Sequence, residues 1–117
     1  MQVYQYSKCS TCRKALAWLR SNDVEFESID IVTSTPNVAT LRRVLERSGL
    51  PIKKLFNTSG EAYRQGGYSQ RLETMTEGEA LTELAANGKL VKRPLLIGED
   101  VALVGFDAAT YASKLGK

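Results

Sequence analysis

The apolar positions change their period along the chain, and each change marks an element. Gln2–Tyr6 alternates and is rich in aromatic and β-branched side chains, as a strand requires. From Cys12 onward the period becomes helical, with Cys12, Ala15, Leu16 and Leu19 on one face. This predicts a helix to about Ser21, with Asn22 as its left-handed stop and Trp18 packed in or beside the core. Val24–Ile31 reads as a second strand. Val24 and Phe26 share one face and Ile29 and Ile31 the other, so burial on both sides or a local bulge is expected. Strand, helix and strand in close succession form a right-handed βαβ unit with parallel strands.

The middle of the chain is helical by the same criterion. Thr33-Ser34-Thr35-Pro36-Asn37 is a loop ending in an N-cap, Val38, Leu41, Val44 and Leu45 form the stripe, and Gly49 closes the helix. Pro51 starts a short helix that buries Ile52, Leu55 and Phe56. Glu61–Gln65 is a brief helical piece stopped by Gly66-Gly67, and Tyr68–Glu73 reads as an irregular crossing. Thr76-Glu77-Gly78-Glu79 is a capping box opening a helix on Leu81, Leu84 and Ala85 that ends at Gly88.

Leu95-Leu96-Ile97 and Val101–Val104 then flank Gly98-Glu99-Asp100, which fits a hairpin. Gly105 supplies a bend, and Asp107 caps a last helix using Ala108, Ala109, Ala112 and Leu115. A βαβ half, a helical insert over about residues 36–89 and a ββα half assemble as one α/β domain spanning 1–117. The expected architecture is a four-stranded mixed sheet flanked by helices, the thioredoxin-like arrangement.

With 117 residues, 43% hydrophobic and 25% charged, the chain suits one soluble domain with a proper core. The net charge of +3 is mild and admits an anionic substrate, but no dense basic tract suggests direct nucleic-acid binding. No apolar run approaches membrane-spanning length, and no apolar signal core follows the N-terminus. A monomer in the reducing cytoplasm is the default expectation. The sequence holds no histidine, which excludes Ser/His/Asp triads, Cys–His pairs and imidazole-centred metal sites.

Both cysteines stand in Cys9-Ser10-Thr11-Cys12, at the strand–helix junction. A thiol just before a helix faces exposed N–H groups and the positive end of the dipole, which stabilise a thiolate. Cys9 is therefore the candidate nucleophile and Cys12 the residue that resolves a mixed disulfide with it. Arg13 and Lys14 add positive potential. Two alternatives stand beside redox chemistry: a zinc site completed by carboxylates or a second subunit, since two cysteines alone cannot fill one, and a pair of inert packed thiols.

Separate stretches then point to one family. Cys9-Ser10-Thr11-Cys12-Arg13-Lys14-Ala15 resembles the active-site turn of the arsenate-reductase-like family, which includes the Spx- and MgsR-type bacterial regulators. Leu55-Phe56-Asn57-Thr58-Ser59-Gly60 with Tyr63, and Lys92-Arg93-Pro94-Leu95-Leu96 with Val104-Gly105-Phe106, are similar to its other motifs. The resemblance implies that Cys9 matches the catalytic cysteine, Arg13 the arginine of the turn, and Arg93 one arginine of the oxyanion site. Pro94 takes the place of the cis-proline opposite the cysteines, and Ser10 and Thr11 join Arg93 and Pro94 as substrate contacts. Cys12 stands where arsenate reductases usually carry serine. Two further oxyanion-site arginines are replaced by Asn57 and Gly105, with Lys53, Lys54 and Arg64 as candidate substitutes.

Three functions follow as expectations. The first is a thiol–disulfide oxidoreductase acting on a thiol or disulfide substrate, with glutathione, thioredoxin or glutaredoxin as electron donor and no bound cofactor or metal. The second is a Spx-type redox sensor that binds the α subunit of RNA polymerase. Arsenate reduction ranks below both, because an oxyanion needs charge-assisted donors and two are lost.

Overall fold

In β1 (Gln2–Gln5) Val3 is wholly buried and Tyr4 nearly so, on opposite faces. A strand covered on both sides must pair its backbone along both edges, because unpaired buried amides are costly. A computed structural model, which describes all 117 residues, shows this pairing. β1 runs parallel to β2 (Glu27–Asp30) and antiparallel to β3 (Leu95–Ile97), which pairs with β4 (Ala102–Val104). The order is β2-β1-β3-β4, the mixed sheet expected from the sequence.

The two faces carry unequal cores. Six buried residues, including Val3, Ala15, Leu19, Leu103 and Tyr111, join the sheet to α1 (Ser10–Ser21) and α6 (Ala108–Leu115). Seventeen lie on the other side, where α2 (Val38–Ser48), α3 (Glu61–Gln65), α4 (Tyr68–Arg71) and α5 (Glu77–Ala86) pack. The segment between β2 and β3 therefore supplies most of the buried apolar surface. No helix is long and apolar enough to cross a membrane.

Local chemistry explains most boundaries. Asn37 Oδ1 accepts the Thr40 amide at 2.8 Å and starts α2, and Gly49 ends it at φ 69°. Thr76 and Glu79 form the reciprocal capping box of α5. A 3₁₀ turn, Ile52–Leu55, follows Pro51. It is clamped to the chain ahead of β3 by a bridge between Phe56 and Val91 and by the bonds Asn57 N–H to Leu90 and Lys92 N–H to Leu55.

Several expectations are corrected. The left-handed stop of α1 is Asp23, at φ 56°, not Asn22. Val24 N–H donates to Leu19 and Asp23 N–H to Arg20, a Schellman ending, while the Asn22 side chain donates to the Trp18 carbonyl. That ending consumes Val24, so β2 is shorter than Val24–Ile31, and Asp30 Oδ1 stops it by accepting the Val32 and Thr33 amides. Val24 and Phe26 still face the α1 side and Ile29 and Ile31 the other, as the pattern required. Tyr68–Arg71 is a helical turn rather than an irregular crossing, held by Tyr68 and Arg71 side chains that both donate to Glu83 Oε1.

α5 stops at Ala86, and Gly88 begins a second 3₁₀ turn, Gly88–Leu90. Asp107 is the α6 N-cap by backbone position, but its carboxylate accepts the Thr110 hydroxyl instead of a helix amide. Tyr111 is the buried side chain of α6, whereas Ala108 and Ala109 are exposed. Trp18 is half-buried, edge-on to Tyr111.

Two glycines make opposite demands. A Cβ at Gly88 would meet the Ile31 carbonyl oxygen, whereas one at Gly78 in α5 meets nothing within 4 Å. Gly88→Ala is expected to destabilise by about 1–3 kcal/mol through forced displacement of β2 from the turn. Gly78→Ala is expected to stabilise by up to about 1 kcal/mol through helix propensity. Urea midpoints at constant slope measure both, and equal shifts of the two variants would refute the packing argument.

Candidate functional site

The carboxyl end of β1 delivers Tyr6 and then a tight turn into α1. The turn is closed by Cys9 N–H donating to the Tyr6 carbonyl at 3.1 Å. Cys9 is the N-cap of α1, with extended backbone at φ −103° and ψ 116°. Its sulfur accepts the Cys12 amide at 3.3 Å, so it occupies the position that a serine or aspartate oxygen takes at an ordinary N-cap. Both cysteines are free thiols, Cys9 half-buried and Cys12 buried.

The surroundings separate the two sulfurs. Burial under the sheet pushes the Cys12 thiol up from its ordinary 9.0 to about 12. The contact with Cys9 adds to this, while the Tyr6 backbone and the Arg93 charge oppose it without cancelling it. Tyr111 is likewise held protonated by burial, and negative charge on Cys12 works in the same direction. Its hydroxyl donates to the Gly105 carbonyl at 2.8 Å, and Gly105 N–H donates to the Pro94 carbonyl at 2.8 Å. The Arg93–Pro94 bond is cis, as the resemblance implied.

Arg93 is half-buried. One of its terminal nitrogens donates to the Lys89 and Val91 carbonyls, and its guanidinium carbon lies 5.2 Å from the Tyr6 ring centroid. It lines a cavity of about 360 Å³ together with Tyr6, Asn57, Glu61, Gln65 and Lys89, beside the cysteine turn. A cavity of about 490 Å³ between α2, β4 and α6, and one of about 640 Å³ at the start of α5, are larger; none of the three is lined by a cysteine.

The structure brings Cys9, Cys12, Arg93 and Pro94 to one end of the sheet, with Ser10 and Thr11 exposed on the first turn of α1. Arg13 is exposed and donates to the Ser7 carbonyl at 3.3 Å, not to a sulfur. Asn57 shares the cavity with Arg93, and Gly105 lies by Pro94 with the Lys92 side chain over it, 3.7 Å from where a Cβ would stand. Lys53 and Lys54 are exposed on the 3₁₀ turn and Arg64 donates to the Ser59 carbonyl; none of them lines the cavity. Lys89, Glu61 and Gln65 do line it and were missed in the sequence, because they come from separate elements and carry no shared spacing. Arg93 and Asn57 were named through the resemblance, and Tyr6 adjoins the cysteine motif without having been singled out.

The model of the ArsC family matches residues 4–113. The uncharacterised protein YusI of Bacillus subtilis (strain 168) is 44% identical over 106 residues, covering 91% of this chain and 90% of its own. The regulatory protein MgsR of the same organism is 27% identical over 92% of this chain and 83% of its own. The crystal structure of an ArsC family related protein from Bacteroides fragilis superposes with a TM-score of 0.93 at 46% identity, over 96% of this chain and 94% of that one. A structure described as a possible arsenate reductase from Streptococcus mutans UA159 gives 0.84 at 42% identity, over 90% and 89%. With the family model matched over residues 4–113 and relatives above 40% identity over about nine-tenths of their length, the chain belongs to the ArsC family.

Proposed function

We propose that the protein is a thiol–disulfide oxidoreductase in which Cys9 is the nucleophile and Cys12 the resolving thiol. The observation that carries this reading is the asymmetry of the pair. Cys9 is accessible and receives a helix amide, whereas Cys12 is buried and held protonated. A thiolate attacks and a thiol does not, so the first step falls to Cys9. Its sulfur bonds to one sulfur of a disulfide substrate and the other leaves as a thiolate. Cys12 then loses its proton, attacks the Cys9 sulfur and expels the second thiol, leaving a Cys9–Cys12 disulfide. Glutathione, thioredoxin or glutaredoxin would return the electrons by the reverse exchange. Arg93 and Pro94 would hold the incoming chain opposite Cys9, with Ser10 and Thr11 at its rim, and Arg13 would contribute field and brace the turn through Ser7.

A second reading is supported by the similarity to MgsR over most of the chain. There the same disulfide would act as a signal, altering a protein contact such as that with the RNA polymerase α subunit. Arsenate reduction is the weakest reading. Asn57 stands beside Arg93, and Gly105 offers no side chain, so the fork-shaped donors an oxyanion needs are reduced to one in the cavity.

Iodoacetamide at mildly acidic pH is expected to label Cys9 before Cys12 on mass mapping, and Arg13→Ala to slow that labelling by less than about fivefold. Cys12→Ser should accumulate a mixed disulfide at Cys9 and Cys9→Ser none. Preferential labelling of Cys12 would reverse the two roles.

The raised Cys12 value has a definite sign. Below pH 9.0 the thiol is protonated in native and unfolded chains alike. Between 9.0 and about 12 the unfolded chain releases a proton that the native state keeps. Stability of the reduced protein should therefore fall across that window, less steeply in Cys12→Ala. Burial, the largest cause, persists in the mixed disulfide, so its resolution should accelerate about tenfold per pH unit from 6 to 9. A pH-independent rate in quenched-flow assays counts against Cys12 as resolver.

Arsenate turnover with glutathione and glutaredoxin is expected to be negligible beside disulfide exchange by the same preparation. Robust turnover that survives Cys12→Ser but not Cys9→Ser would replace the two-cysteine reading with a one-cysteine reductase.

A further inference from the structure

A sheet has two edges, and this one guards only the first. β2 carries Glu27 and Asp30 within its four residues, and charge on an edge strand discourages pairing with another chain. β4, at the opposite edge, is Ala102-Leu103-Val104, with no charge, proline or bulge. Its pairing with β3 fixes where its backbone points. Gly98 N–H donates to the Val101 carbonyl and Gly105 N–H to the Pro94 carbonyl, so both are hydrogen-bonded pairs of the antiparallel ladder. Bonded and non-bonded pairs alternate, which leaves Leu103 bonded to Leu96 and turns the N–H and C=O groups of Ala102 and Val104 outward. No strand lies beyond to receive them. Ala102 is nevertheless only 3% exposed, so water reaches its outward groups poorly, and a buried amide without a partner is costly.

This edge forms the floor of the cavity of about 490 Å³, with the end of α2 as one wall and α6 as the other. Ala102 belongs to the core on the α2 side and Leu103 to the core on the α6 side. Leu50 lines the first wall, and Phe106 and Tyr111 the second, so a strand laid on the edge meets apolar surface on both faces.

We propose that the groove binds the C-terminal tail of a partner protein as an extended strand antiparallel to β4. The two outward residues offer two donors and two acceptors, which a main chain beside them satisfies whatever its sequence. A second copy does not fit, because two edges recessed between helices cannot meet. Two-fold pairing of β4 would also bring Asp100 of each copy toward Asp107 of the other, at a cost in like charge.

Charge sets the direction and the terminus. Arg47 stands at the hairpin end, where one terminal nitrogen donates to the Gly98 carbonyl and the rest of its fork is free. α6 follows β4 through a short bend, which places Asp107 at the Val104 end and Lys114 in the last turn. Neither Arg47 nor Lys114 takes part in the ion pairs of the molecule, Arg42–Glu77 and Arg71–Glu83. A side-chain carboxylate on a strand points to one face, whereas a terminal carboxylate lies along the strand axis and meets both walls. A parallel tail would set its carboxylate against Asp107 instead. The proposal goes beyond the redox reading and does not rest on it, since no cysteine lines the groove.

The probe is acetyl-Val-Thr-Val-Thr-Val with a free carboxylate, titrated to about 1 mM into the isotope-labelled full chain and followed by NMR. Amide exchange should slow about tenfold or more at Ala102 and Val104 and stay unchanged at Leu103, which β3 already protects. N-methylation should weaken binding at alternate peptide residues only. Amidation of the carboxylate and Lys114→Glu should each weaken it about tenfold, as for a lost charged hydrogen bond. Val104→Pro removes an outward donor without touching the ladder to β3 and should weaken binding at least about tenfold. Cys9→Ser should leave binding unchanged, whatever becomes of disulfide exchange. No slowing at Ala102 or Val104 overturns the proposal, as does an equal effect of N-methylation at every residue. Equal binding of acid and amide overturns the C-terminal assignment. Protection of Ala102 and Val104 without peptide, rising with protein concentration together with the sedimenting mass, gives the edge to a second copy and overturns the proposal.

Discussion

A strand buried on both faces has no freedom in where its backbone hydrogen bonds go, and β1 imposes that constraint on the rest of the molecule. Val3 and Tyr4 face opposite cores, so every amide along β1 must be paired by β2 on one edge and β3 on the other. The parallel partner demands a crossover, which α1 provides, and the antiparallel partner comes from the far end of the chain. Where β1 ends, its carboxyl end, the start of α1 and the arm leading into β3 necessarily converge. Tyr6, Cys9 and Arg93 meet there because the sheet leaves them no other place.

The chemistry of that meeting point depends on a difference in burial over one helical turn. Cys9 stands outside the first turn of α1 with its sulfur on a helix amide, and Cys12 stands inside it under the sheet. The first sulfur accepts a helix amide, while burial opposes charge on the second. The neighbouring Tyr111 hydroxyl is committed to Gly105, and through Gly105 to the Pro94 carbonyl, so the arm opposite the cysteines is anchored from the α6 side. From the other side it is held by the Phe56–Val91 bridge. Two independent anchors fix an arm that would otherwise be a surface loop.

The departures from the arsenate-reductase pattern have a consistent physical sense. Where arginines would concentrate positive charge for an oxyanion, this chain has a neutral amide at Asn57 and no side chain at Gly105. Arg93 lines the cavity together with Lys89 and Glu61. Lys92 lies over Gly105, so positive charge remains nearby but on a flexible stem without a fork. The residues lining the cavity are therefore of mixed charge.

Much of this was written locally. Caps, glycine stops and apolar periods depend on residues close in sequence, so the strands, α2, the α5 capping box and the hairpin were legible without coordinates. The C-x-x-C turn was equally plain, because its spacing and its helix start are a single local feature. What needed the tertiary structure were competitions between neighbours and meetings between distant segments. Asn22 and Asp23 are both suited to a left-handed stop, and only the Schellman bonds to Leu19 and Arg20 decide for Asp23. Tyr68–Arg71 becomes helical because Glu83, on another helix, holds its side chains. Tyr111 is buried because the sheet lies beneath it, although the alanines of α6 carry the more obvious apolar pattern. Glu61, Lys89 and Arg93 share a cavity because the insert is clamped to the arm before β3. No period or spacing connects them, since long-range proximity is decided by how the two cores close around β1.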